Sequence, residues 1–377
     1  MFAFVMCAVT CEGAGSAIRV GLIAELTGDI PVVGASCRNA AEMAVREINE
    51  AGGITMGGRK YSLELIIEDS SDKPDKAADA ARKLIAQKDV VAIVGPNTSS
   101  NAIKASEVAE GSKVLLITPW STNPKTTLDA GTGRPKKYVF RAAFIDTFQG
   151  RVLAQFALTT LKAKRAAVLY DADSEYSKGI AEFFRKSFED MGGRIVAFES
   201  YPAHDKDFSP QLNRIRESSP DIVFVPDYYD DVPRQVRQAH RLGIKAPFLG
   251  SDSWGSHDLI GLCGKDCEGY YFSAHYSAGS AASATRKFVN SYTATYGKAP
   301  DDVAALTYDS FGLLRKALSD AGEPDRQVVR DAVARIRGYE GVTGTIAFGN
   351  NSGDPIKSAS ILQIKDGQFV WFADVRP

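Results

Sequence analysis

From Ala17 onward the chain alternates short apolar runs with amphipathic stretches, a rhythm that predicts parallel strands crossed by helices. Ile18 to Leu26 reads as a strand, Gly34 to Ala51 as a helix, Tyr61 to Glu68 as a strand and Pro74 to Gln87 as a helix. Two strand-turn units follow. Val90-Val91-Ala92-Ile93-Val94 runs into Gly95-Pro96-Asn97-Thr98-Ser99-Ser100, and a helical pattern opens at Ser99. Val114-Leu115-Leu116-Ile117 then runs into Thr118-Pro119-Trp120-Ser121-Thr122-Asn123-Pro124. A second series begins after Phe140-Arg141-Ala142-Ala143. Its strands are Ala166 to Tyr170, Ile195 to Glu199, Asp221 to Val225 and Phe248-Leu249, with helices at Ser177 to Met191, Phe208 to Glu217 and Val232 to Leu242. Both series share one rhythm without sequence repetition. The predicted fold class is therefore α/β, with two doubly wound, Rossmann-like lobes and a binding cleft between them.

The final third departs from that rhythm. Ala281 to Tyr296, Asp302 to Ala321 and Asp325 to Ile336 read as helices, and Val342 to Phe348 with Ser358 to Ile364 reads as a hairpin-like strand pair. A linear two-lobed chain has no need of these additions, whereas a chain that crosses back between lobes does. Several crossings form a hinge rather than a loose tether. Asp325, Arg326, Arg330, Asp331, Arg335 and Arg337 are spaced as a solvated helix face.

With 377 residues and 44% hydrophobic content, the chain can bury two sizeable cores. Lys+Arg 45 against Asp+Glu 46 leaves a net charge of −1, which argues against a nucleic-acid binder that must neutralise many phosphates. No apolar run reaches the roughly 18 residues of a membrane-crossing helix. Met1 to Ala14 has the look of a secretory signal's apolar core, so export is expected, with a mis-assigned start codon accounting for the missing basic residues. A lipid anchor at Cys11 is the lesser expectation, because Thr10 stands where Gly or Ala is usual. Of the other cysteines, Cys7 lies in the same leader and Cys37 in a helical pattern. Cys263-Gly264-Lys265-Asp266-Cys267 fits a small loop-closing disulfide better than half a metal site, since no second pair or His cluster completes one.

Open parallel sheets bind ligands where strands end and helices begin, because free backbone N–H groups and short hydroxyls converge there on an anion. The turns holding Ser99 and Thr122 thus make a carboxylate cradle, and Phe248-Leu249-Gly250-Ser251-Asp252-Ser253 sets an acid at another strand end. Cradle and acid together suit a zwitterion. Tyrosines and acids cluster in Tyr170-Asp171-Ala172-Asp173-Ser174-Glu175-Tyr176 and in Pro226-Asp227-Tyr228-Tyr229-Asp230-Asp231. Tyr176 and Tyr228 are expected to wall the cleft with an apolar face and a hydroxyl, and Asp230 and Asp231 to be helix caps or surface residues. His204, His240, His257 and His275 have no partner at metal-ligand spacing and read as surface or structural. Gly250-Ser251-Asp252-Ser253-Trp254-Gly255 misplaces the serine of a nucleophile elbow, and no strand leads into a Gly-x-Gly-x-x-Gly or Walker A loop. Binding without chemistry remains: no catalytic residue, cofactor or metal is expected.

The segment GDIPVVGASCRNAAEMAVREINEAGG, Gly28 to Gly53, joins Gly34 and an alanine-rich helix to Ile48-Asn49-Glu50-Ala51-Gly52-Gly53-Ile54. With IVGPNTSS, TPWSTNP, DADSEYSKG, DFSPQLNRIR and FLGSDSWG following in order, the chain resembles type I periplasmic binding proteins, in particular the leucine/isoleucine/valine-binding branch that serves ABC importers. The resemblance runs from about Ile18 to the C-terminus. It implies two lobes joined by three crossovers: residues 17–142 with 276–350, and 143–275 with 351–377, after a leader remnant at 1–16. It also implies that Ser99 and Thr122, with Ser121 between the two turns' donors, bind an α-carboxylate. The Trp120 carbonyl and the Thr122 hydroxyl would take the α-ammonium, with Asp252 as its charged partner, while Tyr176 and Tyr228 close from the second lobe. Asp252 stands where the family uses the longer Glu, so the ammonium sits deeper or is reached through water. Val33 and Val303 fall where aromatics line the side-chain pocket, and Trp120 replaces a small residue, so bulk around the guest is redistributed. Thr98 occupies a cysteine position of the family's first-lobe disulfide, which has no counterpart here.

The expected function is that of an exported receptor, periplasmic or extracellular. It captures a branched-chain or other apolar amino acid and, as a monomer, delivers it to an ABC transporter permease. The alternative in the same fold is a ligand-sensing regulatory subunit that binds an amide or amino acid. A remote alternative is an enzyme with Asp252 and His257 as acid-base groups.

Overall fold

Strands β1 (Ala17–Ala24), β2 (Ile54–Met56), β3 (Arg59–Asp69), β4 (Ala92–Val94), β5 (Leu115–Thr118) and β6 (Val139–Arg141) form one sheet, in the order β2-β3-β1-β4-β5-β6. A second contains β7 (Arg165–Asp171), β8 (Arg194–Tyr201), β9 (Ile222–Val225), β10 (Phe248–Gly250) and β11 (Tyr271–Ala274). A small sheet follows from β12 (Tyr339–Gly341), β13 (Gly344–Phe348) and β14 (Pro355–Ile356). The chain then rejoins the second sheet as β15 (Ala359–Lys365) and β16 (Gln368–Val375), giving the order β16-β15-β11-β10-β9-β7-β8. This computed structural model describes residues 17–349 and 352–377. The expected leader, with Cys7 and Cys11, lies outside the described residues.

The helices α1 (Pro31–Glu50), α2 (Pro74–Lys88) and α3 (Ser99–Gly111) alternate with the strands of the first sheet. Helices α4 (Asp146–Thr159), α5 (Glu175–Asp190), α6 (Ser209–Ser218), α7 (Val232–Arg241) and α8 (Asp258–Cys263) alternate with those of the second. Then α9 (Ser283–Tyr296), α10 (Asp302–Ala321) and α11 (Arg326–Ala334) return to the first lobe, where α10 packs along α1. Central strands such as β5 and β9 are buried along their whole length, as parallel strands covered on both faces must be. Helix α5 buries Tyr176, Ile180, Phe184 and Phe188, four residues apart on one stripe, and Ser174 caps its start by accepting from the Ser177 N–H. Cys263 and Cys267 are joined, and Cys37 is a buried free thiol. Among the described residues no helix is long and apolar enough to cross a membrane.

The expected hairpin at the end of the chain does not form. β13 pairs with β12 and β14, whereas β15 pairs with β11 and β16 in the second sheet. The cause is a local reversal. The Arg141 N–H donates to Gly353 O, Phe348 stacks edge-on against Phe140 at 5.1 Å, and β14 lies back along β13, so Ser352 to Ile356 stays beside the first sheet. The chain thus passes between the lobes after β6, after β11 and after β14. The last of these passages comes after Ile356, a few residues beyond the expected 350/351.

Gly34, in the first turn of α1, lets that helix approach the end of β1. A Cβ at this position would fall 2.1 Å from Glu25 O. Exchanging Gly for Ala inside a helix ordinarily stabilises by about 1 kcal/mol, but contact with rigid backbone reverses the sign. Gly34→Ala is expected to lower unfolding free energy by about 1–3 kcal/mol. Denaturant melts check this, and an unchanged or raised midpoint contradicts the packing.

Candidate functional site

Glu25, just past β1 and fully buried, fixes the first turn. Its carboxylate accepts from the Asn97 and Thr98 backbone N–H groups (3.0 and 3.2 Å) and from the side-chain amides of Asn97 (2.7 Å) and Asn101 (3.1 Å). The first intrahelical bond of α3 runs from Ala102 N–H to Thr98 O. The N–H groups of Ser99, Ser100 and Asn101 therefore have no helical carbonyl to meet. The Ser99 hydroxyl oxygen accepts from the Asn123 N–H (3.3 Å) and the Ser121 hydroxyl (3.2 Å), leaving its own hydrogen to donate.

Arg141 fixes the second turn. Its guanidinium is wholly buried and donates to Ser121 O (2.6 Å), Asn123 O (2.9 Å) and Thr127 Oγ1 (2.8 Å), while its Nε pairs with Asp354 at 2.7 Å. A buried charge so completely bonded is tolerated, and it locks three carbonyl and hydroxyl acceptors in place. The Thr122 hydroxyl, buried beside this turn, has no hydrogen-bond partner among the described residues.

From the second lobe come Tyr176 in the first turn of α5, Tyr228 after β9 and Asp252 after β10. Asp252 is buried, and three donors converge on it. Tyr176 OH (2.5 Å) and Gln149 Nε2 (2.7 Å) reach Oδ1, and His275 Nε2 lies 3.0 Å from Oδ2. Tyr228 stacks on Tyr176 with centroids 5.5 Å apart and tilts against Trp120 of the first lobe at 5.9 Å. Near the mouth the lobes touch: Asn123 Nδ2 donates to Glu175 O (2.6 Å), and the Glu175 N–H donates to Ser100 Oγ (3.2 Å).

Asn97, Thr98, Ser99, Trp120, Tyr176, Tyr228 and Asp252 line a narrow crevice between the lobes, too tight as it stands to hold a water molecule. Of the residues expected to touch a guest, Ser99, Trp120, Tyr176, Tyr228 and Asp252 border it, whereas Ser121 and Thr122 are buried and do not. Val33 and Val303 do not border it. They are packed into the main hydrophobic core, on α1 and α10. Asp231 holds the N-cap position of α7, as expected, though without a side-chain cap bond, and with Asp230 it also lines an outer vestibule together with Asp29, Asp72 and Asp171. Burial, and next the charge of Glu25, pushes Asp72 up to about 7, and burial with Asp231 pushes Asp230 up to about 6. His257 stacks on Phe369, so the imidazole beside Asp252 belongs to His275 and not to His257. Among the described residues no group of His, Cys, Asp and Glu is arranged to hold a metal ion.

Gln149, His275 and Glu25 escaped the sequence reading. His275 directly follows β11 and obeys the same strand-end rule that picked out Asp252. Asp146 and Gln149 stand three apart on α4, a polar pair on a buried helix face, which is the one local signal they carry.

A family model described as periplasmic binding protein matches residues 17–368. This chain belongs to the periplasmic binding protein family. Among relatives of this binding protein, a leucine-, isoleucine-, valine-, threonine- and alanine-binding protein of Pseudomonas aeruginosa is 29% identical over 336 residues, 89% of this chain and 86% of the relative. A solved leucine binding protein of Thermotoga maritima superposes with a TM-score of 0.87 at 33% identity, covering 96% of this chain and 99% of that one. A branched-chain amino acid transporter substrate binding protein of Streptococcus pneumoniae, solved with isoleucine, gives 0.86 at 31% identity, covering 96% and 100%. The α/β architecture of the binding protein is that of these structures.

Asp146, at the start of α4, has both carboxyl oxygens buried and without partners among the described residues. Burial pushes it up to about 8; the Thr122 hydroxyl draws it down without reaching bonding geometry, and the Asp252 charge adds to the rise. In the unfolded chain such a group ionises near pH 4. Folding therefore takes up a proton between about pH 4 and 8, and stability falls as pH rises through that window. Asp146→Asn removes the slope, so its melting temperature relative to the parent is expected to rise from pH 5 to pH 8. A difference that stays constant with pH contradicts this.

Proposed function

We propose that this binding protein captures an apolar amino acid, in particular a branched-chain one, and delivers it to the permease of an ABC importer outside the cytoplasmic membrane. The reading rests on one juxtaposition: Ser99 of the first lobe, with its spare hydroxyl hydrogen, and Asp252 of the second border the same crevice. That crevice is narrower than a water molecule as it stands, so a guest enters as the lobes part. The α-carboxylate meets the Ser99 hydroxyl and the free N–H groups at the start of α3. The α-ammonium meets Asp252 Oδ2, whose partner among the described residues is the His275 ring. Trp120 and Tyr228 leave an aromatic wall for an apolar side chain. The names of the Pseudomonas, Thermotoga and Streptococcus relatives support the same class of guest.

Burying both charges of a zwitterion requires a charge-assisted partner for each. A guest that touches both lobes favours the closed arrangement, and only such differential contact can shift the equilibrium. In this reading residues 17–142 with 276–356 move against 143–275 with 357–377, and the three passages act as the hinge. The protein works as a monomer, without a chemical step, from the periplasmic or extracellular side. The acidic vestibule draws the ammonium end inward.

Two measurements test the proposal. Asp252→Ala leaves the ammonium unpaired and is expected to cut leucine affinity at least about 100-fold in calorimetry; unchanged affinity removes Asp252 from the site. X-ray scattering of the wild type should show compaction on adding leucine. Identical profiles at saturation overturn the closure mechanism.

A further inference from the structure

His275 is the first residue after β11, where the chain leaves the second sheet for the first lobe. Its imidazole is wholly buried. The ring stacks on Phe144 of the first passage at 3.8 Å and 26°, and its backbone N–H donates to Asp302 Oδ2 on α10 (2.9 Å). Nε2 lies 3.0 Å from Asp252 Oδ2, and Nδ1 has no partner among the described residues. One side chain thus joins two of the passages between the lobes to the carboxylate that borders the crevice.

We propose that His275 sets the charge the cleft offers to its guest. As a neutral ring it leaves the Asp252 carboxylate to pair with an ammonium. As an imidazolium it takes Asp252 as its own counter-ion, and the cleft then favours a carboxylate guest that has no amine. This rests on the reading that the cleft takes an amino acid.

The geometry distinguishes the two states. With its hydrogen on Nε2 the neutral ring donates to Asp252, and the bare Nδ1 asks for nothing stronger than a weak contact. Protonation adds an Nδ1–H with no acceptor among the described residues, a buried unsatisfied donor that disfavours the imidazolium. The charged and titratable groups around the ring act in both directions. Asp252 favours the imidazolium, Lys357 of the third passage disfavours it, and Asp302 meets the backbone of His275. Tyr176 and Gln149 compete with the ring for Asp252, and Asp146 also interacts with that carboxylate's charge. Burial, opposed by Asp252, holds the imidazole below its ordinary value, and burial likewise brings Lys357 down to about 8. The ring is therefore neutral at neutral pH. Since an ammonium guest and the ring proton compete for one carboxylate, affinity for that guest must fall as pH drops through the ring's transition below about 6.5.

The test compares leucine with isocaproate, which has the same skeleton without the amine, by calorimetry at pH 7.5 and pH 5. In the wild type the preference for leucine over isocaproate is expected to shrink at least about threefold at the lower pH, and an unchanged preference overturns the proposal. In His275→Gln it should change less than about twofold on the same scale. An equal loss in the variant overturns the proposal. Should His275→Gln fail to fold by circular dichroism, His275→Asn takes its place. Nitrogen NMR of the His275 ring in the guest-free protein gives a readout that does not depend on leucine. A neutral Nε2–H tautomer at pH 7.5 is expected, and an imidazolium or an Nδ1–H tautomer overturns the proposal. If the wild type binds no leucine at pH 7.5 while the ring behaves as stated, the amino-acid reading fails and the charge assignment stands.

Discussion

A carboxylate withdrawn from water must be met by donors, and both halves of the cleft are organised around that requirement. In the first lobe Glu25 gathers the Asn97 and Thr98 N–H groups and two side-chain amides, so the turn that opens α3 has one conformation. In the second, Asp252 gathers Gln149, Tyr176 and His275 from three separate elements. The two acids differ in what they leave over. Glu25 is enclosed by amides of its own lobe, whereas Asp252 borders the crevice and has one oxygen with a single partner among the described residues. The first is a fastening, the second an unfinished coordination shell.

The division of labour between lobes follows from this. Under the proposed function, donors for an anion come from the start of α3 and the Ser99 hydroxyl, and Asp252 across the cleft takes the cation. Neither lobe alone can satisfy both ends of a zwitterion. Aromatic contact between Trp120 and Tyr228 closes the remaining side.

Much of this arrangement is legible in the sequence because it follows from local rules. Apolar runs and amphipathic stretches mark the alternating elements, and small hydroxyl residues after β4 and β5 announce an anion cradle; the strand-end position of Asp252 does the same for the cation partner. What is not legible depends on the tertiary approach of distant elements. Nothing local tells that Gln149 on α4 and His275 after β11 converge on Asp252, or that Glu25 holds a turn far along the chain. Val33 and Val303 look like pocket residues by position in the family, but the contact of α1 with α10 turns them into core. The supposed terminal hairpin fails for a similar reason. Arg141, more than two hundred residues upstream of Asp354, bends the chain back before it can reach the second sheet.

That last contact reaches beyond packing. With Asp354 clamped by Arg141 and Ala359 already in β15, only Lys357 and Ser358 remain between β14 and β15 to change direction. A connection so short leaves little slack at this point for one lobe to slide along the other.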